Sequence, residues 1–144
     1  LGLTFNWGAL LGWAVVRGDV QAPALILYAA GIFWTLGYDT IYAHQDKEDD
    51  LIVGVKSSAL RLGAHTRPWL VIFYVAAVVL VGLSGWLMHL SWPFYGALGL
   101  AALHAGWQVG TVSINNPDDC LCKFKSNRLF GWLLLAGFIL GQIL

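Results

Sequence analysis

The residues most able to do chemistry lie in one short stretch, Tyr38-Asp39-Thr40-Ile41-Tyr42-Ala43-His44-Gln45-Asp46-Lys47-Glu48-Asp49-Asp50. Five of the chain's eight acids fall within it. On a helix turning about 100° per residue, with Asp39 at zero, Asp46 falls about 20° to one side and Asp50 about 20° to the other. A helix that runs on through Asp50 therefore carries these three carboxylates as one stripe. Asp49 points about 100° away from Asp50, and Glu48 falls on the far side. Like charges at i, i+4 repel each other, and more strongly where the dielectric falls below that of water. A divalent cation relieves that repulsion. Mg²⁺ is typically held by one or two carboxylates together with substrate phosphates. The spacing Asp46-x-x-x-Asp50 thus suits a Mg²⁺-bridged diphosphate. A solvated helix end, with Lys47 and Lys56 as counter-ions, explains acids at an interface equally well. Asp39 separates the two readings, because it lies two turns deeper in an apolar run, where a carboxylate is costly and functional by default.

The elements that must position this segment are membrane helices. Hydrophobic residues make up 58% of the 144-residue chain and charged residues 11%, against about 25% charged in soluble domains. The eight tryptophans suit a protein with two lipid–water interfaces. Five apolar runs approach the roughly 20 residues a helix needs to cross a bilayer: 1–16, 22–43, 68–89, 93–113 and 128–144. Arg17-Gly18-Asp19, Ser91-Trp92-Pro93 and Asn115-Asn116-Pro117-Asp118-Asp119 break the pattern between runs. Pro23 and Pro68 sit near helix starts, where a missing N–H costs little. Glycines spaced four apart, Gly8/Gly12, Gly106/Gly110 and Gly137/Gly141, favour close helix packing in lipid. The first residue is Leu1, inside an apolar run, which reads as a fragment of a longer chain.

Charge sets the expected topology. Lys47, Lys56, Arg61, Arg67, Lys123, Lys125 and Arg128 fall in the connections 44–67 and 114–127 or beside them; only Arg17 falls on the other side. Seven against one places those two connections in the cytoplasm, or in the matrix of an organelle. The formal net charge is zero, which leaves no argument for nucleic-acid binding. Cys120 and Cys122 are too close in sequence to staple a fold and lack partners at zinc spacing, so they read as free thiols. His104, Gln108, Thr111 and Asn115 form a polar stripe at spacing four, three and four, better suited to bonding between helices than to lining a cavity.

The run Tyr38-Asp39-x-x-Tyr42-Ala43-x-x-Asp46-x-x-Asp49-Asp50, followed by Gly54-Val55-Lys56-Ser57-Ser58, resembles the second aspartate-rich motif of the UbiA aromatic prenyltransferases. Phe5-Asn6-Trp7-Gly8 with Gly12-Trp13 resembles the helix before that motif. Cys120-x-x-Lys123-Phe124-x-Ser126-Asn127-Arg128-x-x-Gly131 resembles the last connection, most closely that of the 4-hydroxybenzoate branch. The likeness covers essentially the whole chain. It implies an all-α, multi-spanning bundle, with residues 1–144 as the C-terminal half and five of nine helices. It implies Mg²⁺ as cofactor, with Asp46 and Asp50 on the metal, Lys56 and Asp49 near the diphosphate, and Asp39 beside the reaction centre. Asp39 either accepts the ring proton or orients a lysine. The family's first motif, Asn-Asp-x-x-Asp-x-x-x-Asp, does not occur in this sequence, nor do the basic residues that follow it.

The implied reaction moves a polyprenyl group from polyprenyl diphosphate to the ring of 4-hydroxybenzoate, in ubiquinone biosynthesis. The setting is the lipid bilayer of a bacterial inner membrane or, in a eukaryote, the mitochondrial inner membrane. Aromatic faces stabilise a cation, and Tyr38, Tyr42, Phe5 and Trp7 are candidates to line the space, although a packed or lipid-facing place is the commoner role for any one of them. Other acceptors within the family remain open. CDP-alcohol phosphotransferases also mount aspartates on membrane helices, but their Asp-Gly-x-x-Ala-Arg element is absent here. A cation pathway calls for acids deep in several helices, and only Asp39 is so placed.

Overall fold

A computed structural model describes residues 1–144 as an all-α bundle. The first apolar run divides into α1 (Gly2–Phe5) and α2 (Trp7–Arg17), which meet at Asn6. The second is α3 (Ala22–Gln45), with Pro23 in its first turn. Two short helices follow, α4 (Lys47–Val53) and α5 (Ser58–Leu62). A 3₁₀ turn, Gly63–His65, leads directly into α6 (Thr66–Leu87). Then come α7 (Trp92–Thr111) and α8 (Pro117–Ile143). By length and composition, Ala22–Gln45 and the continuous run Ser58–Leu87 are long and apolar enough to cross a membrane. The flanks of α6 and α7 present Val71, Ile72, Val75, Val79, Leu100 and Leu103 outward, an apolar exterior that suits hydrocarbon rather than water.

Two departures from the sequence-based spans bear on the site. The final helix begins at Pro117, so most of the expected 114–127 connection is helical. Asn116 caps it, its side chain accepting from the N–H groups of Asp118 and Asp119 at 3.1 and 3.3 Å. Asp118 and Asp119 then lie in the first turn, where negative charge is favoured. Ahead of them the chain folds as an initiating turn rather than a long loop. The second departure is at the other acidic segment. The helix bearing Asp39 does not run through to Asp50: α3 stops at Gln45 and α4 starts at Lys47, with Asp46 between them at φ −99°, ψ 10°. The single stripe of Asp39, Asp46 and Asp50 is thus broken at Asp46. The local turn survives, because the Asp50 N–H donates to the Asp46 carbonyl at 2.8 Å. Asp46 and Asp50 keep their i, i+4 relation while Asp39 belongs to a separate helix.

The core has two parts. One gathers Ile41, Leu70, Tyr74, Ala101, Ala105 and Phe130; the other gathers Ala30, Val81, Leu90, Phe94 and Leu98. Small residues permit the close approaches. Gly85 leaves room for the Phe94 ring, and a Cβ at Gly137 would lie 2.8 Å from the Ala97 Cβ. A Cβ at Gly141 would meet that of Phe94 at 2.7 Å. Of the three glycine pairs read as packing faces, Gly137/Gly141 therefore packs α8 onto α7. Gly8, Gly12, Gly106 and Gly110 face open space. Overpacking a close contact costs about 1–3 kcal/mol. Accordingly Gly137→Val lowers the melting midpoint of the detergent-solubilised protein by several degrees, and Gly106→Val does not. Equal midpoints for the two variants would contradict this packing.

The ends of the bundle sort as the charge count requires. The Ser84 hydroxyl donates to the Pro23 carbonyl at 3.0 Å, and the Ser91 backbone N–H to the Gly141 carbonyl at 3.0 Å. The 18–23 and 88–91 turns thus share one end. At the other, the Arg67 guanidinium donates to the Val112 carbonyl at 2.9 Å, joining the 44–67 segment to the α7–α8 turn. Seven of the eight Lys and Arg residues cluster at or near that end. Single cysteines at Ser58 and Asn116, with Cys120 and Cys122 replaced, are expected to resist impermeant thiol reagents added outside intact cells or mitoplasts. Labelling of either from outside overturns the topology.

Candidate active site

The site is assembled from the C-terminal turns of α3, from α4, and from the first turns of α8. Asp39 is half-buried on the same helix face as Tyr42, three residues on. Tyr38 and Tyr42 both pack on Phe124 of α8, with ring centroids at 5.7 and 4.7 Å. Trp34 meets Tyr38 edge-on at 5.5 Å and stacks on Phe130 at 5.1 Å. Four aromatic rings, Trp34, Tyr38, Tyr42 and Phe124, thus form a continuous wall beside the acids. A shallow, open hollow of about 300 Å³ lies against this wall, bordered by Lys125, Asn127 and Arg128. Of the aromatics expected from sequence, Tyr38 and Tyr42 take part. Phe5 and Trp7 do not: they lie exposed on the outer face of α1 and α2, because Asn6 turns inward instead. The Asn6 amide donates to Thr35 Oγ1 at 2.9 Å and fills the notch left by Gly31.

Phe124 is held by a buried amide network that sequence patterns show only in part. Tyr74 donates its hydroxyl to Gln108 Oε1 at 2.7 Å, and Gln108 Nε2 donates to Ser126 Oγ at 2.8 Å and to the Lys123 carbonyl at 3.2 Å. The Trp34 indole N–H donates to Asn127 Oδ1 at 3.0 Å, and Asn127 Nδ2 donates to the Lys123 carbonyl at 3.2 Å. One cluster therefore ties α3, α6, α7 and α8 together. Gln108 came from the polar stripe on α7 and does bond between helices, as expected. Thr111 instead donates to its own helix at the Trp107 carbonyl, 2.7 Å away. The two nitrogens of His104 have no partner. Lys123 is almost fully buried: its ammonium lies 4.0 Å above the Trp107 ring and 3.5 Å from Asp119.

The acids spread over α3 and α4. Asp46 and Asp50 are half-buried; Asp49 and Glu48 are exposed. Asp49 faces a cavity toward the α7–α8 turn together with His44 and Asn115, away from the side that Asp46 and Asp50 present. Lys56 is exposed on the turn between α4 and α5, beside a hollow shared with Ser57, Ser58 and Arg61. That turn is built by Gly54 in the left-handed region at φ 75° and by Ser57, whose hydroxyl caps α5 through the Leu60 N–H. Arg61 is a cation that sequence reading left out of the site; its i+5 spacing from Lys56 gave no signal. No three carboxylate, imidazole or thiol groups converge tightly enough to hold a metal among themselves. No basic side chain reaches the acids of α4, since the one ion pair in the structure is Lys123 with Asp119. Burial and the neighbouring Asp119 carboxylate both push the Cys120 thiol pKa above its ordinary value, while Cys122 is exposed. Both remain free thiols.

The chain is thus an apolar helical bundle with a carboxylate pair and an aromatic wall at one mouth. The sequence profile of the UbiA prenyltransferase family matches residues 1–141, and the chain belongs to that family. It is 52% identical over 145 aligned residues to a Caenorhabditis elegans protein named 4-hydroxybenzoate polyprenyltransferase, mitochondrial, covering 100% of this chain and 41% of that one. Proteins of the same name from Arabidopsis thaliana and Homo sapiens are 51% and 49% identical. Those alignments cover 99% of this chain and 35% and 39% of the relatives. The chain thus spans about two-fifths of the length of the curated relatives it matches. No solved structure matches it.

Proposed function

We propose that these residues form the C-terminal part of a Mg²⁺-dependent 4-hydroxybenzoate polyprenyltransferase of the inner membrane, acting from the side that carries the acidic segment. The identity of about half the chain to enzymes of that name carries the reading. The aromatic wall beside Asp39 supports it. Two carboxylates at i, i+4 with no protein counter-ion suit a cation that also takes substrate phosphates, so Asp46 and Asp50 are the residues to hold it. When bound, Mg²⁺ neutralises negative charge on the leaving diphosphate.

Residues of this chain supply part of the remaining chemistry. Lys56, with Arg61 beside it, approaches the diphosphate from the α4–α5 turn, and Asp49 supports from the opposite side of α4. The allylic C–O bond breaks, and its electron pair leaves with the diphosphate. The faces of Tyr38, Tyr42 and Phe124 stabilise the allylic cation, and the bundle of the whole protein, of which this chain is a part, keeps water from it. The ring carbon ortho to the 4-hydroxybenzoate hydroxyl forms the new C–C bond, and the displaced ring proton passes to Asp39. The test is an acceptor competition with the protein in membranes, Mg²⁺ and a prenyl diphosphate. Prenylated 4-hydroxybenzoate is the expected product. Preference for homogentisate or a dihydroxynaphthoate would reassign the acceptor within the family.

A further inference from the structure

One cation beside the aromatic wall is unused by the reaction above. Arg128 stands eleven residues beyond Pro117, the first residue of α8, which is about three helical turns or 16 Å along the axis. Of the seven Lys and Arg residues at or near that end of the bundle, it is set farthest along its helix. The neighbouring Asn127 accepts the Trp34 N–H at 3.0 Å, and Trp34 lies eleven residues before the end of α3 at Gln45. Counted along either helix, Arg128 therefore sits at the same depth, level with the inner end of the aromatic wall. The one ion pair in the structure joins Lys123 to Asp119, so no carboxylate of this chain answers Arg128.

A guanidinium stays charged in a protein, so Arg128 cannot shed its charge as a buried lysine or acid does. In a membrane helix such a charge is costly and is met by an anion or a watered cavity. Arg128 borders the hollow that Trp34, Tyr38 and Phe124 line. Phe124 precedes it by one turn on the same face of α8, and the Phe124 ring packs on Tyr38 and Tyr42. Lys125 borders the hollow nearer the mouth. Aromatic faces with a guanidinium at one end suit a flat aromatic carboxylate. Its ring stacks on the wall, and the fork of N–H groups takes both carboxylate oxygens. The diphosphate is not that anion. It belongs with Asp46 and Asp50 just past the end of α3, and Arg128 lies about 16 Å deeper, farther than a diphosphate reaches.

We propose that Arg128 binds the carboxylate of the aromatic acceptor, with the acceptor ring against Trp34 and Tyr38, and so selects aromatic acids over neutral phenols. This role rests on the prenyl transfer proposed above and refines it. With the carboxylate of 4-hydroxybenzoate at the inner end of the wall, the hydroxyl and the ring carbon ortho to it point back toward the mouth, where the allylic carbon lies. Lys125, one turn nearer the mouth, draws the anion inward, and Arg128 holds it.

The test compares 4-hydroxybenzoate with 4-hydroxybenzamide, a neutral phenol of nearly the same shape, using the whole protein in membranes with Mg²⁺ and saturating prenyl diphosphate. The unaltered protein is expected to favour the acid in kcat/KM by about tenfold or more. Arg128→Gln is expected to remove that preference through a raised KM for the acid, with KM for the prenyl diphosphate unchanged. Arg128→Lys, which keeps the charge and loses the fork, is expected to fall between the two. A merely structural Arg128 would lower turnover of both acceptors alike, and that result overturns the proposal. So does an unaltered protein that takes the amide as readily as the acid, a measurement that needs no variant to fold. Should homogentisate or a dihydroxynaphthoate prove to be the acceptor, that acid and its amide take the same places, so an error in the acceptor is not mistaken for one in Arg128. A protein that prenylates no aromatic acid overturns the functional reading, and the role of Arg128 with it.

Discussion

Asp46→Asn and Asp50→Asn are each expected to lower prenyl transfer by the whole protein at least tenfold, a loss of about 1.4 kcal/mol or more of transition-state stabilisation. Asn keeps the size of Asp and removes only the charge. Both residues sit on the turn that survives the α3–α4 break, joined by the hydrogen bond from the Asp50 N–H to the Asp46 carbonyl, one helical turn apart as the proposed ion site requires. Neither has a basic partner in the fold, and removing one of several like charges on α4 relieves repulsion. The melting midpoint should therefore hold or rise while the rate falls, which separates a binding role from a folding one. Glu48→Gln, on another face of α4, should cost less than either. If Glu48→Gln proves the most damaging of the three, the placement of the metal on Asp46 and Asp50 fails.

Residues 1–144 produced alone are expected to show no prenyl transfer. The reason is coordination. A diphosphate with its Mg²⁺ needs carboxylates and cations on more than one side, and this chain offers one pair, Asp46 and Asp50, with no third ligand converging. The aromatic wall is also open on its outer side: Tyr42 is 36% exposed, and water reaching an allylic cation would quench it. The chain spans 35–41% of the length of the enzymes it resembles, so further groups have room to come from outside it. The helices should still insert, because insertion follows local hydrophobicity. Membranes bearing only this chain, from a host without its own enzyme, are incubated with Mg²⁺, prenyl diphosphate and 4-hydroxybenzoate. Product above the empty-vector level shows that one aspartate pair suffices and overturns this division of labour.

Composition and periodicity determined a good deal here. Apolar runs long enough to span a bilayer fix α-helix as the only economical local structure, because lipid offers the backbone no other partner. The alternation of apolar runs predicted which turns share an end, and the Arg67–Val112 contact agrees; the Lys and Arg count predicted which end faces inward. The spacing of Asp46 and Asp50 survives in the fold because i, i+4 is a local relation that one helical turn preserves.

What the tertiary structure decided is whatever depends on distant segments. The break at Asp46 takes Asp39 off the stripe, and no breaker residue announces it; the sequence there is Gln45-Asp46-Lys47, all tolerated in a helix. Which glycines pack was equally hidden. Gly106/Gly110 and Gly137/Gly141 carry the same spacing, and only the path of α7 shows that the second pair meets a neighbour while the first faces out. Phe124 enters the site because Asn127, three residues on, is gripped by Trp34 and Gln108 from two other helices. His44 reads in sequence as one polar residue at a helix end. Its free Nδ1 exists only because Thr66, twenty-two residues away, has already committed its hydroxyl proton to Gly63. A hydrogen-bond donor can be spent once, and where it is spent is settled by packing.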